Sequence, residues 1–219
     1  MTQTYSSLVS YVLISPNKSV RKDTTYNPTG RIDAIVIHHV AGVTEVEPLG
    51  ALFAKQSRQA SSNYGIGNDG RIACFAPEEY RSWCSGSRDI DYRAITVEVS
   101  NCDGAPDWPV GEKAWESLIS LCVDIFRRHG FRLHYTGDKT GNLHMHKWYQ
   151  PTGCPGPWLE ARFGLLAEQV NRRLDGDEAV FWRVQCGAFQ TRENAEALRK
   201  QLCAQGYADA FVTEVRLGK

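Results

Sequence analysis

The apolar run Ala34-Ile35-Val36-Ile37, closed by His38 and His39, reads as a buried strand over Ile32 to His39. A different pattern holds from Ala94 to Val99, where Ile95, Val97 and Val99 share one face and Thr96 and Glu98 the other. That is the period of two of a strand, and it points Glu98 away from the apolar face. Between these strands, Ser61 to Gly67 leads through the turn Asn68-Asp69-Gly70 into Arg71 to Phe75, and the two segments read as a β-hairpin. The period becomes helical from Gly111 to His129, with Ala114, Leu118, Leu121, Cys122, Ile125 and Phe126 on one stripe and Gly130 as the stop. Further helices are expected over about Glu47 to Lys55 and about Pro157 to Leu174. Residues 1–30 look irregular, with turn signals at Ser15-Pro16-Asn17 and Asn27-Pro28-Thr29-Gly30.

Asp175-Gly176-Asp177 marks a domain boundary. Before it, strands and helices mix as an α/β layer. Beyond it, a smaller set is expected: strand Val180 to Ala188, helix Arg192 to Gln205, a turn at Gly206, and strand Ala210 to Glu214. A chain of 219 residues, 42% of them hydrophobic, suffices for one substantial core plus such a module. Lys and Arg number 25 and Asp and Glu 25, so a net charge of zero gives no reason to expect nucleic acid or an anionic membrane surface as partner. Leu8 to Ile14 is too short and too polar to span a membrane, and no signal peptide is recognised, so synthesis in the cytoplasm is expected. The 7 cysteines are odd in number and scattered, which favours reduced thiols. All except Cys154 read as small buried apolar residues.

Cys154 stands out because His146 precedes it by seven intervening residues in His-Lys-Trp-Tyr-Gln-Pro-Thr-Gly-Cys-Pro-Gly, while His38 ends the first buried strand. Imidazole and thiolate suit Zn²⁺, and three protein ligands leave the fourth tetrahedral position open, as in a catalytic zinc site. A strand holds His38 rigidly, and Pro151, Pro155 and Gly156 restrain the loop around Cys154. These residues raise the expectation of a zinc hydrolase.

Four stretches in order carry a family resemblance: Ile37-His38-His39, Ser62 to Gly67 before Asp69-Gly70, the strand Ile-Thr-Val-Glu ending at Glu98, and His146 to Gly156. With them, residues 31–174 resemble the zinc-dependent N-acetylmuramoyl-L-alanine amidases, a family shared by phage endolysins, bacterial autolysins and animal peptidoglycan-recognition proteins. Residues 180–214, opening on Phe181-Trp182-Arg183-Val184-Gln185-Cys186-Gly187-Ala188-Phe189, resemble a SPOR domain. The resemblance implies an α/β catalytic domain, a central mixed β-sheet flanked by helices, over residues 1–174. It implies a linker at 175–179 and a small α+β SPOR-like wall-binding domain at 180–219.

The family pattern implies His38, His146 and Cys154 as ligands of Zn²⁺. His39 is the alternative to His38, since only one of two successive strand residues can face a metal. His144 sits two residues before His146, but the interval to the cysteine matches His146; His144, His134 and His129 are expected to be surface or supporting residues. Glu98 is implied as general base and acid, with Tyr64 and Thr152 stabilising the oxyanion; some family members carry Lys where this chain has Thr152. Arg81, Trp83, Arg88, Arg93 and Trp148 are candidate substrate contacts. The implied reaction cleaves the amide between N-acetylmuramic acid and the L-alanine of the stem peptide. The implied setting is the cell wall, as an endolysin or autolysin, with the C-terminal module on glycan lacking stem peptides. Alternatives are a non-catalytic peptidoglycan binder and an amidase of soluble muropeptides.

Overall fold

The computed structural model describes residues 4–176, 186–207 and 210–213. Its first unit, Met1–Ala179, carries strands β1 (Tyr11–Val12), β2 (Lys18–Val20), β3 (Ala34–His39), β4 (Tyr64–Ile66), β5 (Ile72–Cys74), β6 (Tyr80–Ser82), β7 (Ala94–Val99) and β8 (Leu143–Met145). Its helices are α1 (Val46–Phe53), α2 (Arg88–Asp91), α3 (Glu112–His129), α4 (Pro157–Glu160) and α5 (Phe163–Leu174). Six strands form a mixed sheet in the order β1-β5-β4-β7-β3-β8, and β2 pairs with β6 in a separate antiparallel ribbon. Within the larger sheet β4 and β5 are antiparallel, forming the expected hairpin across the Asn68-Asp69-Gly70 turn, and the other pairings are parallel.

Parallel strands are covered on both faces, which explains why β3 is buried at all six positions. The side chains of Ile35, Ile37, Ile95, Val97 and Val99 join one large core with Leu118, Leu121, Cys122, Ile125 and Phe126 of α3 and Phe163, Leu166 and Val170 of α5. The alternate residues Ala34, Val36 and Ala94 pack with Ile90 of α2 on the opposite side. α3 ends as expected, with Gly130 in the left-handed region at φ 70° and its N–H bonded to the carbonyl of Phe126. Arg127, Arg128 and His129 in its last turn suit the negative end of the helix dipole.

Three expectations need correction. The helix expected over 157–174 is broken at Ala161 and Arg162 into α4 and α5. No Pro or Gly stands at 161–162 to announce the break, where Arg162 leaves helical geometry at φ −112° and ψ 6° before the second helix starts. β6 and β8 carried no sequence signal long enough to be read. Residues 1–30 supply β1, which extends the sheet beside β5, and β2, which pairs with β6.

That N-terminal segment is fastened by Arg21, whose side chain is 1% exposed. Its Nε donates to the carbonyl of Glu78 at 2.6 Å, Nη1 to the carbonyls of Asp91, Tyr92 and Ala94 at 3.2, 3.0 and 2.9 Å, and Nη2 to the carbonyl of Tyr80 at 2.9 Å. One guanidinium thereby satisfies loop carbonyls that would otherwise be buried without donors. A second buried charge, Glu78, is 1% exposed and accepts from Arg128 through both Nη atoms at 2.6 and 2.7 Å and from the hydroxyl of Tyr64; Nε2 of His129 lies 2.7 Å away. Burial raises the carboxyl's pKa, but the bonds from His129, Arg128 and Tyr64 outweigh it and hold the group down at about 2.

The second unit, Val180–Lys219, contributes α6 (Arg192–Ala204), followed by Gly206 at φ 98°, close to the expected helix and turn. The strands expected over 180–188 and 210–214 fall partly outside the described residues, as does the linker expected at 175–179, of which Asp175 and Gly176 are described.

Arg21→Lys, which cannot reproduce the fork of donors, should lower stability by about 3 kcal/mol, read as a fall in urea midpoint at unchanged slope. Because the folded-state pKa of Glu78 lies below its ordinary value of 4.5, its contribution is fully present above about pH 4.5 and is lost as pH falls towards about 2. Glu78→Gln should therefore flatten the acid limb of a curve of urea midpoint against pH, besides lowering the midpoint at neutral pH.

Candidate metal centre and active site

The site lies at the carboxyl ends of β3 and β7, where open parallel sheets commonly bind ligands. His38 pairs with Glu98 across these strands, two residues beyond the pair Val36 and Thr96 on the same face. In β8, Met145 pairs with Ile37, so continuing the chain by one residue brings His146 beside His38. The rings of His38 and His146 stand 4.7 Å apart at 58°, and Nδ1 of His38 lies 3.6 Å from Sγ of Cys154. One donor atom from each of His38, His146 and Cys154 falls within 4.8 Å of the others.

This donor set meets the requirements of Zn²⁺. Tetrahedral ligands at about 2.0–2.1 Å for nitrogen and about 2.3 Å for sulfur stand about 3.5 Å apart, close to the 3.6 Å between His38 and Cys154. Burial holds both histidine pKa values down, well down for His38, so both rings are neutral and able to coordinate. Burial pushes the Cys154 thiol up, and the nearby Glu98 carboxylate adds to that. A cation at this point would reverse that shift.

Glu98 faces away from the apolar core, as expected, but not into open solvent. Its Oε1 receives the thiol of Cys84 at 3.7 Å, while its Oε2 is buried and has no hydrogen-bond partner among the described residues. Burial pushes its pKa up to about 8, where a carboxyl can both take up and release a proton near neutrality. A second set of potential donors, His38, Cys84 and Glu98, also falls within 4.8 Å.

The remaining candidates divide. His39 turns away from the trio: its ring meets Trp108 edge-on at 5.7 Å. Gly156, at φ 83°, lies against it, where a Cβ would come within 3.0 Å of the ring. His144 is buried with Nδ1 2.8 Å from the hydroxyl of Tyr149, which makes it a supporting residue. His129 belongs to the Glu78 cluster. Thr152 is exposed, and its Oγ1 accepts the amide N–H of Cys154 at 3.2 Å, bracing the loop. Tyr64 is the correction. Pairing with Val97, it faces α3, fully buried, and its hydroxyl donates to Glu78 and accepts the N–H of Ser6 at 2.9 Å. It stands on the opposite side of the sheet from Glu98, so the oxyanion role expected of it does not fit.

Among expected substrate contacts, the Arg81 guanidinium lies over the Tyr92 ring at 4.6 Å, Arg93 pairs with Asp33 at 2.8 Å, and Trp148 packs edge-on to His144. A cavity of about 440 Å³ is lined by Asp103, Asp107, Pro157, Trp158 and Arg162, immediately beyond the Cys154 loop. Cys84 and Ser85 were missed by sequence reasoning: a cysteine read as buried and apolar, and a serine within a loop, carry no local signal of what they touch.

Three solved structures share the fold. The PlyG catalytic domain aligns with TM-score 0.57 and 17% identity, covering 80% of this chain and 98% of that one. A selenomethionine derivative of AmpD aligns with TM-score 0.55 and 18% identity over 76% and 98%. The Staphylococcus aureus hydrolase AmiA in complex with its ligand aligns with TM-score 0.56 and 19% identity over 69% and 78%. No curated protein matches the chain significantly in sequence. The profile for N-acetylmuramoyl-L-alanine amidase matches residues 28–157 and the SPOR-domain profile matches residues 178–219. The chain belongs to the N-acetylmuramoyl-L-alanine amidase family and carries a SPOR domain at its C-terminal end.

Proposed function

We propose that this chain is a zinc-dependent peptidoglycan amidase, cleaving the amide between the lactyl group of N-acetylmuramic acid and the L-alanine of the stem peptide. The observation that carries the reading is the convergence of His38, His146 and Cys154 beside Glu98, whose buried Oε2 has no hydrogen-bond partner among the described residues. His38, His146 and Cys154 would hold the ion. Zn²⁺ bound there supplies Lewis acidity, polarising a carbonyl and making a water more acidic.

The protein's own residues do the rest. Glu98 takes a proton from the attacking water through Oε2 and hands it to the departing amine nitrogen, which cannot leave as an anion. Burial raises its pKa and a cation beside it would offset that rise, leaving a carboxyl able to serve in both halves of the transfer. Thr152, whose oxygen already accepts the amide of Cys154, retains its O–H to donate to the developing oxyanion. With Tyr64 engaged elsewhere, Thr152 is the remaining side-chain donor of the two expected.

The SPOR domain supports polymeric wall over free fragments as the substrate, through binding of glycan stripped of stem peptides. Tethering would raise the effective concentration of wall at the catalytic site. Such a chain would act at the cell wall, as an endolysin or autolysin.

Metal analysis should find about one zinc per chain, and chelation should abolish release of new L-alanine amino termini from purified peptidoglycan until zinc is restored. No zinc in the purified protein, or release unaffected by chelation, would overturn the metal-dependent reading. Cys154→Ser should lose zinc and activity together. Glu98→Gln should keep its zinc and lose turnover by on the order of a hundredfold or more; full activity would remove Glu98 from the chemistry.

A further inference from the structure

The two groups on which the proposed chemistry rests are both touched by one short segment. Cys84 places Sγ 3.7 Å from Oε1 of Glu98, and its neighbour Ser85 places Oγ 3.4 Å from Nε2 of His38. The segment is restrained on both sides. Upstream, Ser82 Oγ lies 2.6 Å from Oγ1 of Thr96. At Ser85 itself, the amide N–H donates to the buried carboxylate of Asp91, at 3.1 and 3.3 Å to its two oxygens. Downstream, Gly86, at φ 64°, accepts Nε2 of Gln150 at 3.0 Å, and a Cβ there would come within 2.8 Å of that side chain.

We propose that Cys84 and Ser85 are a pair of positioning residues, with Asp91 as their anchor; this rests on the amidase reading above. The two contacts do different things. The thiol of Cys84 occupies Oε1 of Glu98 and so leaves Oε2, which has no hydrogen-bond partner among the described residues, for the water to be activated. A carboxylate free to rotate would present either oxygen and would hold neither in line. The hydroxyl of Ser85 accepts the Nε2–H of His38 and so favours the tautomer whose Nδ1 lone pair faces Cys154. Metal-binding histidines are oriented in this way by an acceptor on the ring nitrogen that does not coordinate. Because the two residues are consecutive, Asp91 sets both through one backbone position.

Ordinary packing roles would behave differently. A cysteine that merely fills space tolerates Ala better than Ser, because Ser introduces a hydroxyl into a site that wanted an apolar group. A cysteine that donates to Glu98 shows the reverse order, since Ser keeps a donor and Ala does not.

The experiment uses the full chain and its Cys84→Ala, Cys84→Ser, Ser85→Ala and Ser85→Thr variants. Two quantities are read: kcat and KM on purified peptidoglycan, and zinc affinity by competition with a chromogenic chelator. Cys84→Ala should retain wild-type zinc affinity and KM while kcat falls about tenfold, and Cys84→Ser should recover most of that loss. Ser85→Ala should bind zinc about tenfold more weakly, with Ser85→Thr close to wild type. Wild-type kcat in Cys84→Ala, or a larger loss in Cys84→Ser than in Cys84→Ala, overturns the assignment for Glu98. Unchanged zinc affinity in Ser85→Ala overturns it for His38. If the wild-type chain binds zinc but releases no L-alanine termini, the amidase reading fails, and the zinc titrations still decide the role of Ser85.

Discussion

The register of β3 against β7 is the constraint on which the rest of the molecule depends. His38 opposite Glu98 is the last useful pair of a parallel ladder that begins at Ala34 and Ala94. Side chains alternate along it, so Ile35, Ile37, Ile95 and Val97 feed the α3 and α5 core while Val36, His38, Thr96 and Glu98 turn to the other side. A slip of one residue would drive the carboxylate into apolar packing and set a valine beside His38, His146 and Cys154. Burial of one face thus enforces the chemistry of the other.

That other face is polar but orderly. Thr96 is fully buried, and its Oγ1 accepts the N–H of Asn63 at 3.0 Å and lies within hydrogen-bond range of the hydroxyls of Ser62 and Ser82. Two residues further along the strand, Oε2 of Glu98 has no partner among the described residues. Native interiors satisfy buried polar atoms as a rule, and along this strand the rule is kept at Thr96 and broken at Glu98. The break falls beside the three candidate metal ligands, which is the sense in which the site is built into the fold.

How much of this the sequence revealed depended on how local each signal was. The convergence of His38, His146 and Cys154 was legible because a strand end and a proline-flanked loop hold side chains through short-range structure. The β4–β5 hairpin, β7 and α3 were legible because period and turn chemistry are local properties of the chain. Tyr64 was misread, since an assignment by motif did not consider that its pairing with Val97 turns it towards α3. Arg21, Cys84 and Ser85 had no readable signature: Glu98 stands 14 positions from Cys84, His38 stands 47 from Ser85, the carbonyl of Ala94 stands 73 from Arg21, and nothing near them in sequence names those partners. The break between α4 and α5 is likewise unannounced, since Ala161 and Arg162 are not helix breakers.

The N-terminal strap bears on where the catalytic module begins. The family profile starts at residue 28, yet β1 covers the outer side of β5, and Arg21 fills the space between the Glu78 loop and the start of β7. A fragment cut at the profile boundary would bare the backbone edge of β5, inviting strand-to-strand association between molecules, and would leave several carbonyls without donors. Anyone grafting this catalytic unit onto another wall-binding module would therefore need to carry the N-terminal strap along, although it holds none of the candidate metal ligands.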